Sequence, residues 1–217
     1  MNITKFGHCC MLIEEKGVRI VTDPGSFTAQ EQEALTDIHV ILVTHEHGDH
    51  FHIPSVREML KKNPSARIVC NPSVGAILAQ ENIAYEVIGD RETSDASGLS
   101  IEGFGTTHAL IHPLLPQSQN TGFFIAEKLW YPGDAFPEID RPIEVLALPV
   151  AGPWMKSSEA IDYALKLKPQ RAFPVHDGIL NPALIASGAF DRWFRSILEP
   201  RSTSFLTIEL GREYQVA

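Results

Sequence analysis

The feature that most constrains this 217-residue chain is a cluster of histidines and carboxylates between residues 44 and 50. The segment reads Thr-His-Glu-His-Gly-Asp-His and directly follows the apolar run Val40–Val43. Imidazole and carboxylate groups suit zinc, iron or manganese as ligands. The whole chain holds nine histidines, so three of them within six positions are an improbable composition for an ordinary solvated loop. The segment therefore predicts a metal site at the end of a buried strand.

The spacing within this cluster indicates two metal positions rather than one. Side chains alternate along a strand, so His45 and His47 can project in the same direction. Gly48 permits a sharp turn, after which Asp49 and His50 can face a neighbouring position. One loop would then contribute ligands to two cations.

Further ligands are offered by three residues that each come after an apolar stretch. His108 comes after Leu99–Phe104, Asp134 after residues 129–133, and His176 after residues 172–175. Strand ends that gather at one edge of a sheet are where α/β proteins place their chemistry. Any one of these residues alone has an ordinary explanation, but their recurrence behind the first cluster makes all three candidate ligands.

Apolar runs and turn residues predict strands and helices in alternation. Strands are predicted over residues 9–13, 18–22, 40–43, 67–70, 99–104, 122–127, 145–148, 171–175 and 204–210, and helices over 54–62, 73–80, 157–168 and 182–198. Ser157 or Ser158 is expected to cap the third helix. Residues 86–100 are polar and less regular. No linker, repeat or low-complexity tract interrupts the chain, so the prediction is a single layered α/β domain over residues 1–217.

The histidine cluster resembles the signature of the metallo-β-lactamase superfamily, His-x-His-x-Asp-His. The later residues His108, Asp134 in Tyr-Pro-Gly-Asp-Ala, and His176 in Phe-Pro-Val-His-Asp-Gly follow in the order and context of that family. The start, ITKFGHCCMLIE, and the turn Asp23-Pro24-Gly25 resemble the small metal-dependent hydrolases related to the ascorbate-phosphate lactonases. The resemblance covers nearly the whole chain.

The resemblance implies a four-layer αβ/βα sandwich, the metallo-β-lactamase fold, with the site along one edge of the paired sheets. It implies two divalent cations, with zinc expected first and Mn²⁺ or Fe²⁺ as alternatives. The implied ligands are His45, His47 and His108 for one ion, Asp49, His50 and His176 for the other, and Asp134 as the bridge.

Some residues near these ligands keep two interpretations. His112 lies four residues beyond His108, and the family context favours His108 as the ligand. His112 is then expected to line the substrate pocket or to donate a proton, or else to be an ordinary loop histidine. His8 and Asp23 are interpreted either as groups that orient ligands or as structural polar residues. Cys9, in an apolar stretch, is expected to be packed and inert.

A metal-dependent hydrolase is the function that this pattern favours. Two cations sharing a water would lower its pKa from 15.7 to about 7, a shift of on the order of 12 kcal/mol in proton affinity. The resulting hydroxide would attack the carbonyl or phosphorus of a small-molecule ester, lactone or phosphodiester, and Asp49 would help to orient it. The catalytic residues predicted are therefore Asp49 and His112.

Three other functions remain open from the sequence. The chain could bind or sense metal without turnover, because ligands alone do not prove catalysis. It could be a phosphodiesterase or nuclease on short substrates, or an oxidase with a di-iron centre. The ester or lactone hydrolase is preferred through the resemblance to lactonase relatives.

Composition limits the binding partners and the cellular compartment that are expected for this chain. The chain has 27 acidic and 18 basic residues, a net charge of −9. Binding to long nucleic acids or anionic membranes depends on lysine and arginine, so neither is expected. Three cysteines imply no disulfide framework, and no signal-peptide or membrane-spanning run is present, so a cytoplasmic location is expected. The oligomeric state stays open.

Overall fold

Two seven-stranded mixed β-sheets pack face to face between two layers of helices. The structure is a computed structural model that describes residues 1–217. The strands are β1 (Asn2–Gly7), β2 (Cys10–Glu15), β3 (Val18–Thr22), β4 (Val40–Val43), β5 (Arg67–Cys70), β6 (Glu86–Val87), β7 (Thr93–Ala96), β8 (Leu99–Phe104), β9 (Gly122–Ile125), β10 (Leu129–Tyr131), β11 (Val145–Pro149), β12 (Arg171–Val175), β13 (Ser204–Phe205) and β14 (Glu213–Gln215). The helices are α1 (Ala29–Glu33), α2 (Ile53–Lys62), α3 (Pro72–Gln80), α4 (Ser157–Leu167), α5 (Pro182–Ala186) and α6 (Ala189–Leu198).

The two sheets have the same plan. The first has the strand order β14-β1-β2-β3-β4-β5-β6 and the second β13-β12-β11-β10-β9-β8-β7. In each, one half is antiparallel and the other half, β3 to β6 or β10 to β13, is parallel. Parallel strands run in one direction, so the loops that follow β4 and β12 leave their sheets at carboxyl ends, where α/β proteins place their sites.

Alternating side chains of the central strands build three layers of core. In β4, Val40 and Leu42 face the other sheet, whereas Ile41 and Val43 pack against the helices of the first sheet. Strand β11 behaves in the same way, with Val145 and its neighbours alternating between the inter-sheet core and the layer under α4 and α6. Strands covered on both faces are apolar at every position, which is why β4 reads Val-Ile-Leu-Val. The predicted four-layer α/β sandwich is confirmed.

Several predicted boundaries are wrong. The helix predicted over 182–198 is two helices, because Gly188 adopts a left-handed φ of +62° between α5 and α6. The strand predicted over 204–210 ends at Phe205, and the one over 122–127 ends before a turn with positive φ at Ala126 and Glu127. The polar segment 86–100 contributes the edge strands β6 and β7.

The cap of α4 also differs from the prediction. Lys156 occupies the cap position, and the Glu159 carboxylate accepts a hydrogen bond of 2.6 Å from its backbone N–H. Neither Ser157 nor Ser158 caps the helix. None of the helices combines the length and the apolarity that crossing a membrane requires.

Candidate metal centre

The loop between β4 and α2 is a tight turn that presents four candidate ligands. The backbone N–H groups of His50 and Phe51 both donate to the carbonyl oxygen of His47, at 2.9 and 2.8 Å. The turn packs closely on Gly25, where an added Cβ would lie 1.7 Å from the carbonyl oxygen of Asp49. A glycine in the Asp-Pro-Gly turn is therefore what lets the ligand loop approach β3.

The candidate ligands form two groups of four residues. Within each group, the donor atoms all lie within 4.8 Å of one another. The first group consists of His45, His47, His108 and Asp134, and the second of His8, Asp49, His50 and His176. All seven ligands that the resemblance implies are thus brought together from the ends of four strands. His8, at the end of β1, is the additional member.

Asp134 connects the two groups. Its Oδ2 lies 3.5 Å from His108 Nε2 and 2.8 Å from His176 Nε2. Its Oδ1 lies 3.3 Å from Nε2 of His50. The indole N–H of Trp154 donates to the same carboxylate at 3.0 Å. This aspartate therefore lies between the two donor groups.

Buried donor atoms without partners test whether this cluster fits a metal. Nearly all the buried side-chain nitrogen and oxygen atoms that lack a hydrogen bond in the protein belong to these two groups; they are on His8, His50, His108, Asp134 and His176, with Arg19 Nε as the exception. Leaving a buried polar atom unpaired costs about 1–3 kcal/mol. So many unpaired atoms in one cluster of imidazoles and carboxylates are the pattern that metal ligands give, and the residues fit a pair of divalent cations.

Asp23 holds His50 from behind. Its Oδ2 accepts hydrogen bonds from His50 Nδ1 at 2.7 Å, from Thr44 Oγ1 at 2.7 Å and from the Tyr131 hydroxyl at 2.5 Å. Its Oδ1 accepts from the Thr44 backbone N–H at 2.8 Å. Because Nδ1 of His50 is committed to Asp23, Nε2 is left to face Asp134. Of the two interpretations of Asp23, the geometry favours the one in which it orients a ligand.

His8 is in contact with two members of the second group. Its Nε2 donates to Asp49 Oδ2 at 3.1 Å, and its carbonyl oxygen accepts from the His176 backbone N–H at 3.2 Å. It has a left-handed φ of +45° at the irregular end of β1, where the pairing register shifts. His8 is thus built into the site rather than being an ordinary strand-end residue.

A partly buried ion pair holds the strand end that carries His176. The ammonium of Lys5, itself buried, donates to both carboxylate oxygens of Asp177 at 2.6 Å and to the Pro174 carbonyl at 2.8 Å. These two partners flank His176 in sequence. Nothing in the local pattern of the sequence indicated Lys5, because its partner is 172 residues away.

Burial and charge set the protonation of the cluster. Burial lowers the pKa of His45 well below its usual value, and the neighbouring His50 lowers it further. Burial also lowers the pKa of His47. Burial would lower the pKa of His50 as well, but Asp134 and Asp23 hold it well above its usual value. Neutral imidazole is the form that ligates metals, and the positive charge that Asp134 attracts is the charge that a cation would supply.

The pKa of Asp49 is held below its usual value. Burial alone would raise it, but the hydrogen bond from His8 and the charge of His50 outweigh that effect. The Asp49 side chain is 26% exposed, whereas that of Asp134 is 3% exposed. Asp49 is therefore an ionised carboxylate at the open side of the cluster.

The remaining predicted residues lie at or beyond the border of the site. His112 belongs to neither donor group; it is exposed, and its Nδ1 accepts a hydrogen bond from the Leu114 backbone N–H at 3.2 Å. Cys9 is buried, and its sulfur lies within 4.8 Å of donor atoms of His50 and Asp134. Burial raises the pKa of this thiol well above its usual value. The sequence interpretation of Cys9 as a packed residue did not place it beneath the cluster.

Two cavities adjoin the donor groups. The leucine cavity, about 280 Å³, touches His47 and His108 and is lined by Leu110, Ile111 and Leu115. The phenylalanine cavity, about 480 Å³, touches His8 and is lined by residues that include Phe6, Phe27, Glu31 and Leu210. Each of the two donor groups therefore has its own adjoining cavity. A third cavity of about 300 Å³, at Arg67 and Tyr85, touches no candidate ligand.

Comparison with known proteins places this architecture in a family. Residues 2–176 match the family described as "Beta-lactamase superfamily domain". The chain is 35% identical over 187 residues to Protein Rv0786c of Mycobacterium tuberculosis, covering 84% of this chain and 86% of that one. It is 24% identical over 183 residues to the UPF0173 metal-dependent hydrolase MJ1163 of Methanocaldococcus jannaschii, covering 80% and 83%.

Among solved structures, the chain is similar to Igni18, a metallo hydrolase from the archaeon Ignicoccus hospitalis. The TM-score is 0.76 at 18% identity, over 98% of this chain and 97% of that one, which shows a shared fold. The four-layer sandwich, the position of the histidine cluster at the sheet edge and the family match over most of the sequence lead to one conclusion. The chain belongs to the metallo-β-lactamase superfamily.

Proposed function

We propose that this metal-dependent hydrolase of the metallo-β-lactamase superfamily binds two divalent cations, zinc first among them, and cleaves a small-molecule ester or lactone. The single observation that carries the proposal is the pair of donor groups joined by Asp134, a member of the first group that also contacts His50 and His176 of the second. In this assignment His45, His47 and His108 hold one ion, and Asp49, His50 and His176 hold the other. The two ions supply Lewis acidity, which makes water a stronger acid and polarises the carbonyl group of the substrate.

The protein side chains have separate tasks in this reaction. Asp49 is ionised and partly exposed, so it can accept a hydrogen bond from the attacking water and orient it. His8 keeps one oxygen of Asp49 in place, which leaves the other for the water or the ion. Hydrolysis adds the hydroxyl of the water to the acyl carbon, breaks the bond to the leaving oxygen and delivers a proton to that oxygen.

His112 is the candidate for that last proton transfer. Its Nδ1 accepts a backbone N–H from Leu114, so Nε2 is the nitrogen left to face a substrate group. It also lines the leucine cavity beside His108. A substrate group in that cavity would lie between the metal ligands and this imidazole.

An ester or lactone is favoured over a phosphodiester by the charge of the surroundings. No lysine or arginine lines either cavity that adjoins the cluster. A phosphodiester carries a negative charge, and arginine and lysine are the side chains that bind phosphate most effectively. The phosphodiesterase is therefore the second candidate, and a metal sensor without turnover is the third.

A substrate panel on protein of measured metal content tests the proposal. Metal-loaded protein is assayed with chromogenic esters, lactones and phosphodiesters, and zinc, manganese and iron are counted per chain. We expect about two ions per chain and turnover of neutral esters or lactones above all. Turnover of phosphodiesters alone would select the second candidate. Two bound ions with no turnover of any substrate would select the third.

A further inference from the structure

Four large aliphatic side chains stand exposed beside the metal centre. Leu110, Ile111, Leu114 and Leu115 lie in the segment between β8 and β9, and their exposed fractions are 54%, 40%, 87% and 52%. Monomeric proteins seldom expose so many neighbouring aliphatic groups unless the patch binds something. The patch is therefore suited to binding an apolar group.

The positions of three of these four side chains indicate what the patch binds. Leu110, Ile111 and Leu115 line the leucine cavity, whose wall also includes His47 and His108. The cavity therefore opens onto the first donor group, and what fills it lies beside the candidate metal ligands. Leu114 is not part of this lining.

The chemistry of the lining defines the group that fits. None of the ten lining residues is lysine, arginine, aspartate or glutamate. These side chains therefore offer no opposite charge to a charged group that loses its hydration in the cavity. The volume of about 280 Å³ has room for about nine non-hydrogen atoms, if each takes roughly the 30 Å³ of a molecule in liquid water.

The wall is held in register with the metal centre. The backbone N–H of Ala109 donates to the carbonyl oxygen of Asp134 at 2.9 Å, and that of His108 to the Ser118 carbonyl at 3.1 Å. At the tip, the Leu115 N–H donates to the His112 carbonyl at 2.9 Å. The start of the apolar stretch is thus fixed relative to Asp134, and the turn at Leu115 is closed by its own hydrogen bond.

We infer that the leucine cavity binds a neutral aliphatic or aryl group of the substrate, of up to about nine non-hydrogen atoms, next to the bond that is cleaved. This inference rests on the proposed function and makes it specific: the substrate is an ester or lactone of a medium-chain apolar acid or alcohol. Burying one methylene contributes about 0.8 kcal/mol. Each added methylene is therefore expected to raise kcat/KM about fourfold until the cavity is full.

The test is a chain-length series on a matched set of proteins. Straight-chain 4-nitrophenyl esters from acetate to decanoate are assayed with wild type, Leu115→Ala and Leu114→Ala. We expect a steep rise in kcat/KM with chain length for wild type and for Leu114→Ala, and a shallower rise for Leu115→Ala. Leu114→Ala is the control, because its side chain is on the same loop but outside the cavity. Thermal unfolding of each variant verifies that it is folded.

A binding measurement separates failure of this inference from failure of the proposed function. Aliphatic methyl ketones of increasing length, which are neutral and cannot be hydrolysed, are titrated into metal-loaded and metal-free protein and followed by NMR. Affinity that rises with length and falls in Leu115→Ala supports the inference even if no ester is cleaved. Ester turnover without any dependence on chain length, together with ketones that do not bind, would overturn the inference and leave the hydrolase assignment intact.

The same variants test for the other possible occupant, a second copy of this chain. Sedimentation velocity of wild type and Leu114→Ala is run over a range of concentrations. A dimer that Leu114→Ala weakens, combined with ketones that do not bind, would show that the exposed leucines form a subunit interface and would overturn the inference.

Discussion

Replacing Asp23 by asparagine alters the residue that orients the candidate ligand His50 and leaves all the candidate ligands themselves unchanged. The carboxylate accepts four hydrogen bonds of 2.5 to 2.8 Å, three of them on Oδ2. Asparagine has the same shape but only one acceptor oxygen. If its oxygen takes the place of Oδ2, its NH₂ group faces the donor N–H of Thr44. If the amide is flipped, the NH₂ group faces the three donors of His50, Thr44 and Tyr131.

The expected loss follows from that geometry. In the better orientation, three bonds to a charged acceptor become bonds to a neutral one, at about 1 kcal/mol each, and one buried donor is left unpaired at about 1–3 kcal/mol. The sum is about 4–6 kcal/mol of unfolding free energy. In a chain of this size each kcal/mol corresponds to roughly 2–4 °C, so Tm is expected to fall by about 8–24 °C. Metal affinity at the second group is expected to fall about 10–100-fold, since the His50 ring loses its orientation.

Calorimetry and chelator competition measure the two effects. Asp162→Asn is the matched control, because Asp162 is exposed on α4 and makes no ion pair or side-chain hydrogen bond. The control is expected to leave both Tm and metal affinity at their wild-type values. If Asp23→Asn kept Tm within about 2 °C of wild type and bound both ions as tightly, Asp23 would not be orienting His50, and the reasoning would be refuted.

Three further results are expected. Asp134→Ala should lower the metal content from about two ions to one or fewer, measured by mass spectrometry, while His112→Ala should keep both; equal contents would contradict the shared position of the aspartate. Burial raises the pKa of Cys10 and of Cys70 to about 12, so roughly one thiol in ten thousand is ionised near pH 8; alkylation there should label neither until the protein is denatured, and rapid labelling of native protein would show that the two strands open. Lys5→Ala should lower the unfolding free energy in urea by on the order of 3 kcal/mol, because it leaves the partly buried carboxylate of Asp177 and the buried Pro174 carbonyl without their partner. A change under about 0.5 kcal/mol would mean that the ion pair is not what fixes the end of β12.

The sequence predicted the parts of this protein that depend on short-range patterns. The continuous apolar run Val40–Val43 placed β4, and the spacing from His45 to His50 anticipated that one turn contributes donors to two groups. The helix after Pro182 shows the limit of such patterns. A glycine inside a helical pattern costs about 1 kcal/mol and is often tolerated, so nothing local distinguished a continuous helix from the break at Gly188.

The supporting contacts of the site could not be predicted, because they join residues that are far apart in the chain. Tyr131 and Asp23 are 108 positions apart, and Lys5 and Asp177 are 172 apart. The role of His8 depends on an irregular strand end with a positive φ, which no hydrophobic pattern signals. Such contacts exist only after the two sheets have been brought together.

The division of the ligands between the sheets has a further consequence. The loop after β4 belongs to the first sheet, whereas His108, Asp134 and His176 follow strands of the second. A cation held by both sets would act as a non-covalent cross-link between the two halves of the sandwich, and its binding energy would add to the cohesion of the native state alone. Neither half contains all the donors, so the two donor groups are complete only when the halves are docked.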